Sequence, residues 1–227
     1  MHWHRRVPFV LTAAGVLCAS IPAAALTTPD SLWWLSCFSR LGATDDASSM
    51  FFNGGMVLAG AVIGLSAVPV MRGLRGASAA GFRGTGAAAA YVPLLIAALG
   101  LSLILIGMLP LSFNVFAHER AANGALASSA GLLLLHRRYL RGLSRNLDRI
   151  ATGAVVVLTL GMVGLIAGVL TLTVFEGLAF GSVIAWLHAL EMRAKRFPTG
   201  PSTPFSANSQ HLFLSPIWGT RRSGVTV

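Results

Sequence analysis

A stretch of about 20 uncharged, mostly apolar residues runs from Val7 to Leu26, and five further blocks of similar character follow it. No soluble fold can coat so many long apolar runs. Of 227 residues 55% are hydrophobic and 11% charged, and the mean hydropathy is +0.72, so lipid must be the main solvent. Backbone polar groups in hydrocarbon have to pair within their own segment, which makes each block a helix. The expected fold is all-α: a polytopic membrane helix bundle of six transmembrane helices, with N and C termini cytoplasmic. Its spans fall near residues 7–26, 51–70, 87–109, 116–135, 150–170 and 174–192 of one domain, 1–196. Residues 197–227, rich in Pro and Ser, read as a disordered cytoplasmic tail in which His211 to Trp218 is apolar enough to touch the membrane surface.

The breaks between blocks follow local chemistry. Val7–Leu26 comes after Arg5 and Arg6 and reads as a signal anchor. A cleaved signal peptide is the competing reading, since Ala23, Ala24 and Ala25 offer small residues, but the block exceeds the roughly 7–15 residues of a signal core. Thr27 to Ser49 reads as an external loop, with Leu32-Trp33-Trp34-Leu35 as an interfacial aromatic anchor. Pro110 stops the third block. Ile150 to Leu190 holds two helices joined by a short turn. Thr173 followed three places later by Glu176 reads as a capping box opening the last helix.

Charge sorting supports the topology. With the N terminus inside, only Arg40 and Arg120 of the 17 basic residues lie outside, while Asp30, Asp45, Asp46, Glu119 and Glu176 gather there. The net charge of +10 is then topology and attraction to anionic headgroups on the cytoplasmic side; no nucleic-acid partner is expected. Arg138, Arg141, Arg145 and Arg149 recur at helical spacing, so they are expected to line one helical face as an anionic-lipid contact. Arginine in place of lysine, with abundant alanine and glycine, suggests a bacterial source and an inner, or cell, membrane.

Recognised enzyme chemistry is missing from the sequence. No zinc-ligand spacing, phosphate loop or nucleophile elbow is present, so no catalytic residue, metal or cofactor is expected. Cys18 and Cys37 sit at different depths and are not expected to pair. The apolar centres of the blocks carry no ionisable side chain, which argues against an ion-coupled transporter. Gly60 with Gly64, Gly164 with Gly168, and Gly177 with Gly181 are spaced to let helices approach closely, within one bundle or between two copies. His188 and Glu191 share a helix face near the inner end of the sixth span.

The remaining polar residues near span ends are Asn53, His118, Glu119, Arg120 and Asn123. They could simply hold helix ends at headgroup level. The sharper expectation is an outward-facing polar pocket, joined by Asp45 or Asp46, for a lipid headgroup or metal ion. His118 and Asn123, five residues apart, stand about 140° apart around a regular helix, which limits that expectation.

The run Leu35 to Ala43, then Phe52-Asn53-Gly54-Gly55 opening a helix, Gly100-Leu101-Ser102, and His118 followed by small residues through Ala130 resemble the DRAM/Frag/Sfk-like membrane proteins and their bacterial relatives. The resemblance covers about Val7 to Leu190. It implies six helices and a role in lipid organisation, lipid-anchor remodelling or trafficking, without an established reaction. Trp186 departs from the family pattern, having no adjacent carboxylate. The function expected is therefore non-enzymatic lipid organisation, sensing or envelope maintenance. A small transporter or an intramembrane lipid-modifying enzyme is the alternative, and a membrane-protein partner or homo-oligomer stays open.

Overall fold

The computed structural model describes residues 8–197; the tail from 198 and its apolar His211–Trp218 segment lie outside the described residues. Six long helices form: α1 (Phe9–Thr27), α2 (Ala47–Ala79), α3 (Thr85–Met108), α4 (Val115–Leu135), α5 (Arg145–Ile166) and α6 (Leu172–Ala194). Two 3-10 turns, Trp33–Leu35 and Phe38–Gly42, interrupt the α1–α2 loop, and a π-helical turn, His136–Leu140, follows α4. Among the described residues there is no strand.

Five helices are long and apolar enough to cross a membrane, which marks a multi-pass membrane protein. The exception is α4, whose first half carries His118, Glu119, Arg120 and Asn123. The bundle turns large apolar side chains outward, among them Leu65, Leu94, Leu101, Leu160 and Ile166. In water such a perimeter would be an aggregation liability; in lipid it is solvated.

Helix limits depart from the expected spans where arginine is helix-compatible. α2 continues past Val70 through Arg72 and Arg75 to Ala79, giving 33 residues or about 50 Å, against a hydrocarbon core of about 30 Å. It is therefore longer than one upright crossing requires. α5 opens at Arg145 rather than Ile150. Consequently Arg138, Arg141, Arg145 and Arg149 do not share one helix: Arg138 lies on the π-helical turn, Arg141 precedes Gly142 at φ +85°, and the other two begin α5. The expected single face is corrected on this point, because a left-handed glycine breaks it.

α2 occupies the centre, flanked by α1, α3 and α6; α4 packs on α3, and α5 on α6. Ile63, Ile96, Leu103, Leu187 and Leu190 fill the shared core. The α2–α3 crossing is set by glycine: a Cβ on Gly60 would come 2.5 Å from the Gly100 carbonyl oxygen, and one on Gly100 would come 2.7 Å from the Gly64 nitrogen. The other two glycine pairs do different work. Gly168, at φ +70°, ends α5, with the Val169 amide donating to Gly164 O at 2.9 Å and Gly168 to Leu165 O at 3.1 Å. Gly181 meets nothing and Gly177 meets only the Phe38 ring.

Candidate functional site

Two polar clusters stand at opposite ends of the bundle. At the end formed by the α1–α2 loop, Asp46 caps α2 by accepting the Ser48 amide at 2.9 Å, and its hydrogen bonds, that from the Ser48 hydroxyl foremost, hold its carboxyl below the usual range. Above this cap the Phe38–Gly42 turn is gripped from three helices. His118 of α4 has Nε2 2.8 Å from Ser39 Oγ and Nδ1 2.8 Å from the Leu109 carbonyl oxygen. A carbonyl only accepts, so Nδ1 carries a proton toward Leu109, while the Ser39 hydroxyl, both donor and acceptor, pairs with Nε2. Asn53 of α2 donates to Gly42 O at 3.1 Å. Glu176 of α6 accepts the Phe38 amide at 2.8 Å.

The structure thus brings Asn53 and His118 to the same turn, as clamps with protein partners. Glu119, Arg120 and Asn123 are exposed on other faces of α4, and Arg120 lies over the Phe116 ring at 4.7 Å. Asn123 faces away because it stands about 140° around the helix from His118. The capping-box reading of Glu176 is corrected: Thr171 caps α6, accepting the Val174 amide at 3.3 Å, while Glu176 reaches the loop instead. If the clamp holds the turn, His118→Ala and Asn53→Ala will each cost about 1–3 kcal/mol locally. The measurement is the tryptic cleavage rate after Arg40 in purified protein, expected to rise about tenfold; an unchanged rate in both variants sinks the clamp.

At the other end, the arginine-bearing end, Trp186 is fully buried and donates from Nε1 to His136 Nδ1 at 3.3 Å. His136 Nε2 stands 3.2 Å from Asp148 Oδ1. Because an indole N–H only donates, Nδ1 must be bare and Nε2 must carry the proton toward Asp148. Burial agrees, holding the imidazole below its ordinary pKa against the pull of Asp148. Asp148 also accepts the Gly142 amide at 3.1 Å, and Arg193 Nε donates to Leu143 O at 3.1 Å. Trp186, which stands alone in sequence, therefore reaches its carboxylate through a histidine from another helix.

Glu191, fully buried, accepts the amides of Phe9 at 2.9 Å and Val10 at 3.0 Å, with Lys195 Nζ 2.9 Å from Oε1. It caps α1, whose first turn has no capping side chain of its own. Its expected association with His188 is replaced by this one. Sequence reasoning missed Ser39, His136, Asp148 and the role of Glu191; the one available signal was that polar groups in apolar blocks need partners.

Neither cluster joins a nucleophile, base and cavity, and among the described residues no three His, Cys, Asp or Glu side chains converge for a metal. A groove of 530 Å³ between α1 and α2 is lined by small and apolar side chains such as Val16, Ala19, Ala23 and Leu58, with Ser20 alone polar. No protein-family model, curated protein or solved structure matches this chain.

Proposed function

We propose that the chain is a six-helix protein of a bacterial inner membrane, arginine-bearing end in the cytoplasm, that organises or senses lipid without catalysing a reaction. The observation that carries this reading is the contrast between buried and exposed polar groups. His118, Asn53, Glu176, His136 and Glu191 are spent on holding helices and turns together. Arg138, Arg141, Arg145 and Arg149 are exposed at one end, and among the described residues none is within ion-pairing distance of a carboxylate. Free guanidinium groups at headgroup level are suited to anionic lipid. The resemblance to the DRAM/Frag/Sfk-like proteins points the same way.

In this reading α4 supplies the remaining span of the six, with His118 turned to the loop and Glu119, Arg120 and Asn123 exposed near its outer end. Reporters fused after Arg196 and within 74–83 are expected in the cytoplasm, and those near Asp45 and Phe113 outside; an external reporter after Arg196 overturns the orientation. The functional test is to replace Arg138, Arg141, Arg145 and Arg149 together by Gln. At about 1 kcal/mol per basic residue near the surface, co-purifying anionic lipid is expected to fall at least about tenfold. Unchanged retention at low salt removes the lipid reading.

A further inference from the structure

Between the α2–α3 turn and the α4–α5 turn, at the arginine-bearing end, lies a cleft of about 130 Å³ lined by Phe82, Arg83, Thr85, Tyr139, Arg141 and Gly142. The geometry points to a binding site for a phosphate ester, with Arg83 and Arg141 as its two guanidinium ligands. This deepens the lipid reading and rests on it for the membrane source of the ligand.

Both turns are built rather than loose. Gly84, at φ +80°, sits so close to the neighbouring turn that a Cβ there would come 2.8 Å from Tyr139 O. Thr85, almost fully buried, donates to Phe82 O at 2.7 Å and fixes the first turn. On the opposite wall Leu140 and Leu143 are buried on either side of exposed Arg141. Asp148 holds the Gly142 amide and Arg193 holds the Leu143 carbonyl. The two arginine stems therefore spring from backbone fixed by buried partners, which leaves a ligand only the side chains to order.

Charge and size select the ligand class. Arg83 and Arg141 have no carboxylate within ion-pairing distance among the described residues, whereas Asp148, which holds the cleft's Gly142 amide, is already engaged by His136 as well. Two unpaired guanidinium groups flanking one cleft match the tetrahedral oxygens of a phosphate, which accepts bidentate hydrogen bonds. The volume is well below the roughly 300–1,000 Å³ of pockets that enclose whole small molecules. It fits a headgroup phosphate with the rest of the ligand outside. Phe82 and Tyr139 line the same cleft, as aromatic side chains do at headgroup level.

The test uses full-length protein in detergent, titrated by native mass spectrometry with phosphatidylglycerol, with diacylglycerol lacking the phosphate, and with soluble glycerol 3-phosphate. Two double variants remove equal charge: Arg83→Gln with Arg141→Gln, and Arg145→Gln with Arg149→Gln. Both pairs lose the general attraction to the headgroup surface, and the first is expected to weaken phosphatidylglycerol binding about tenfold more than the second. Arg83→Lys with Arg141→Lys, which keeps charge but loses the planar fork, is expected to fall between. Diacylglycerol should bind alike in all. Equal weakening by both glutamine pairs overturns the cleft and leaves the lipid reading standing. Glycerol 3-phosphate binding that depends on the first pair, without phosphatidylglycerol binding, keeps the cleft and removes the lipid reading. No binding of either phosphate ester to the unaltered protein overturns the cleft outright.

Discussion

Replacing Glu191 by Ala is expected to destabilise the bundle by about 3 kcal/mol, seen as a melting temperature about 6–12 °C lower for detergent-solubilised protein. The magnitude follows from what the carboxylate holds. Phe9 and Val10 are the first residues of α1, whose amides have no intrahelical acceptor, and Glu191 supplies one oxygen to each at 2.9 and 3.0 Å. The pair also places a negative charge on the positive end of the helix dipole. Loss of the side chain orphans two donors, the Val10 amide at a fully buried position and the Phe9 amide at a partly buried one, and water cannot fully replace it at the first. Lys195 contributes far less, because its side chain is 28% exposed and can return to solvent. Lys195→Ala is accordingly expected to cost under about 1 kcal/mol. Glu191→Gln, which keeps one acceptor and loses the charge, should lie between the two. A lysine variant as damaging as the glutamate variant would show that the ion pair, not the helix cap, is what matters.

The same residue shows where sequence reading stops. The helical character of the chain and five of its spans follow from hydropathy, because lipid leaves an apolar segment no alternative to internal pairing. Polar residues at span ends were also legible as a class: Asn53 and His118 do meet at one turn, since a buried amide and imidazole each need a partner. Which partner each takes was not legible. Glu191 finds its amides 182 and 181 residues away, Glu176 finds Phe38 138 residues away, and Trp186 finds His136 50 residues away. Such pairs depend on which helices become neighbours, and hydropathy is silent about neighbours. Local rules misled in two places. The Thr173–Glu176 spacing satisfied a capping box, but the left-handed Gly168 ended α5 and α6 started from Thr171. The arginine spacing suggested one helical face, but Gly142 turned the chain through the middle of it.

The three glycine pairs, identical as patterns, separate sharply in expected effect, and of their six glycines only Gly60, with Gly100 opposite it, stands against backbone that cannot move aside. A methyl group on Gly100 would lie 2.5 Å from Gly60 O, 2.7 Å from Gly64 N and 2.9 Å from Gly64 Cα, all backbone atoms that no rotamer change can move. A methyl on Gly60 would meet Gly100 O at 2.5 Å and Ile104 N at 2.9 Å. Either substitution must separate α2 from α3, and α2 also carries α1 and α6. Gly60→Ala and Gly100→Ala are therefore expected to cost about 1–3 kcal/mol each, and Gly100→Leu to prevent assembly of the bundle. Gly64 is the discriminating control. It belongs to the same spaced pair as Gly60, yet a Cβ on it meets nothing within 4 Å. Gly64→Ala should then be neutral or stabilising by up to about 1 kcal/mol, through reduced backbone freedom in the unfolded segment. The order of resistance to SDS-induced unfolding is expected to be Gly64→Ala at or above the unaltered protein, the two alanine variants at the crossing below it, and Gly100→Leu absent from the folded fraction. If Gly64→Ala proves as damaging as Gly60→Ala, the spaced pair acts as a whole, as it would between two copies of the chain, and the crossing of α2 over α3 is not what makes glycine necessary.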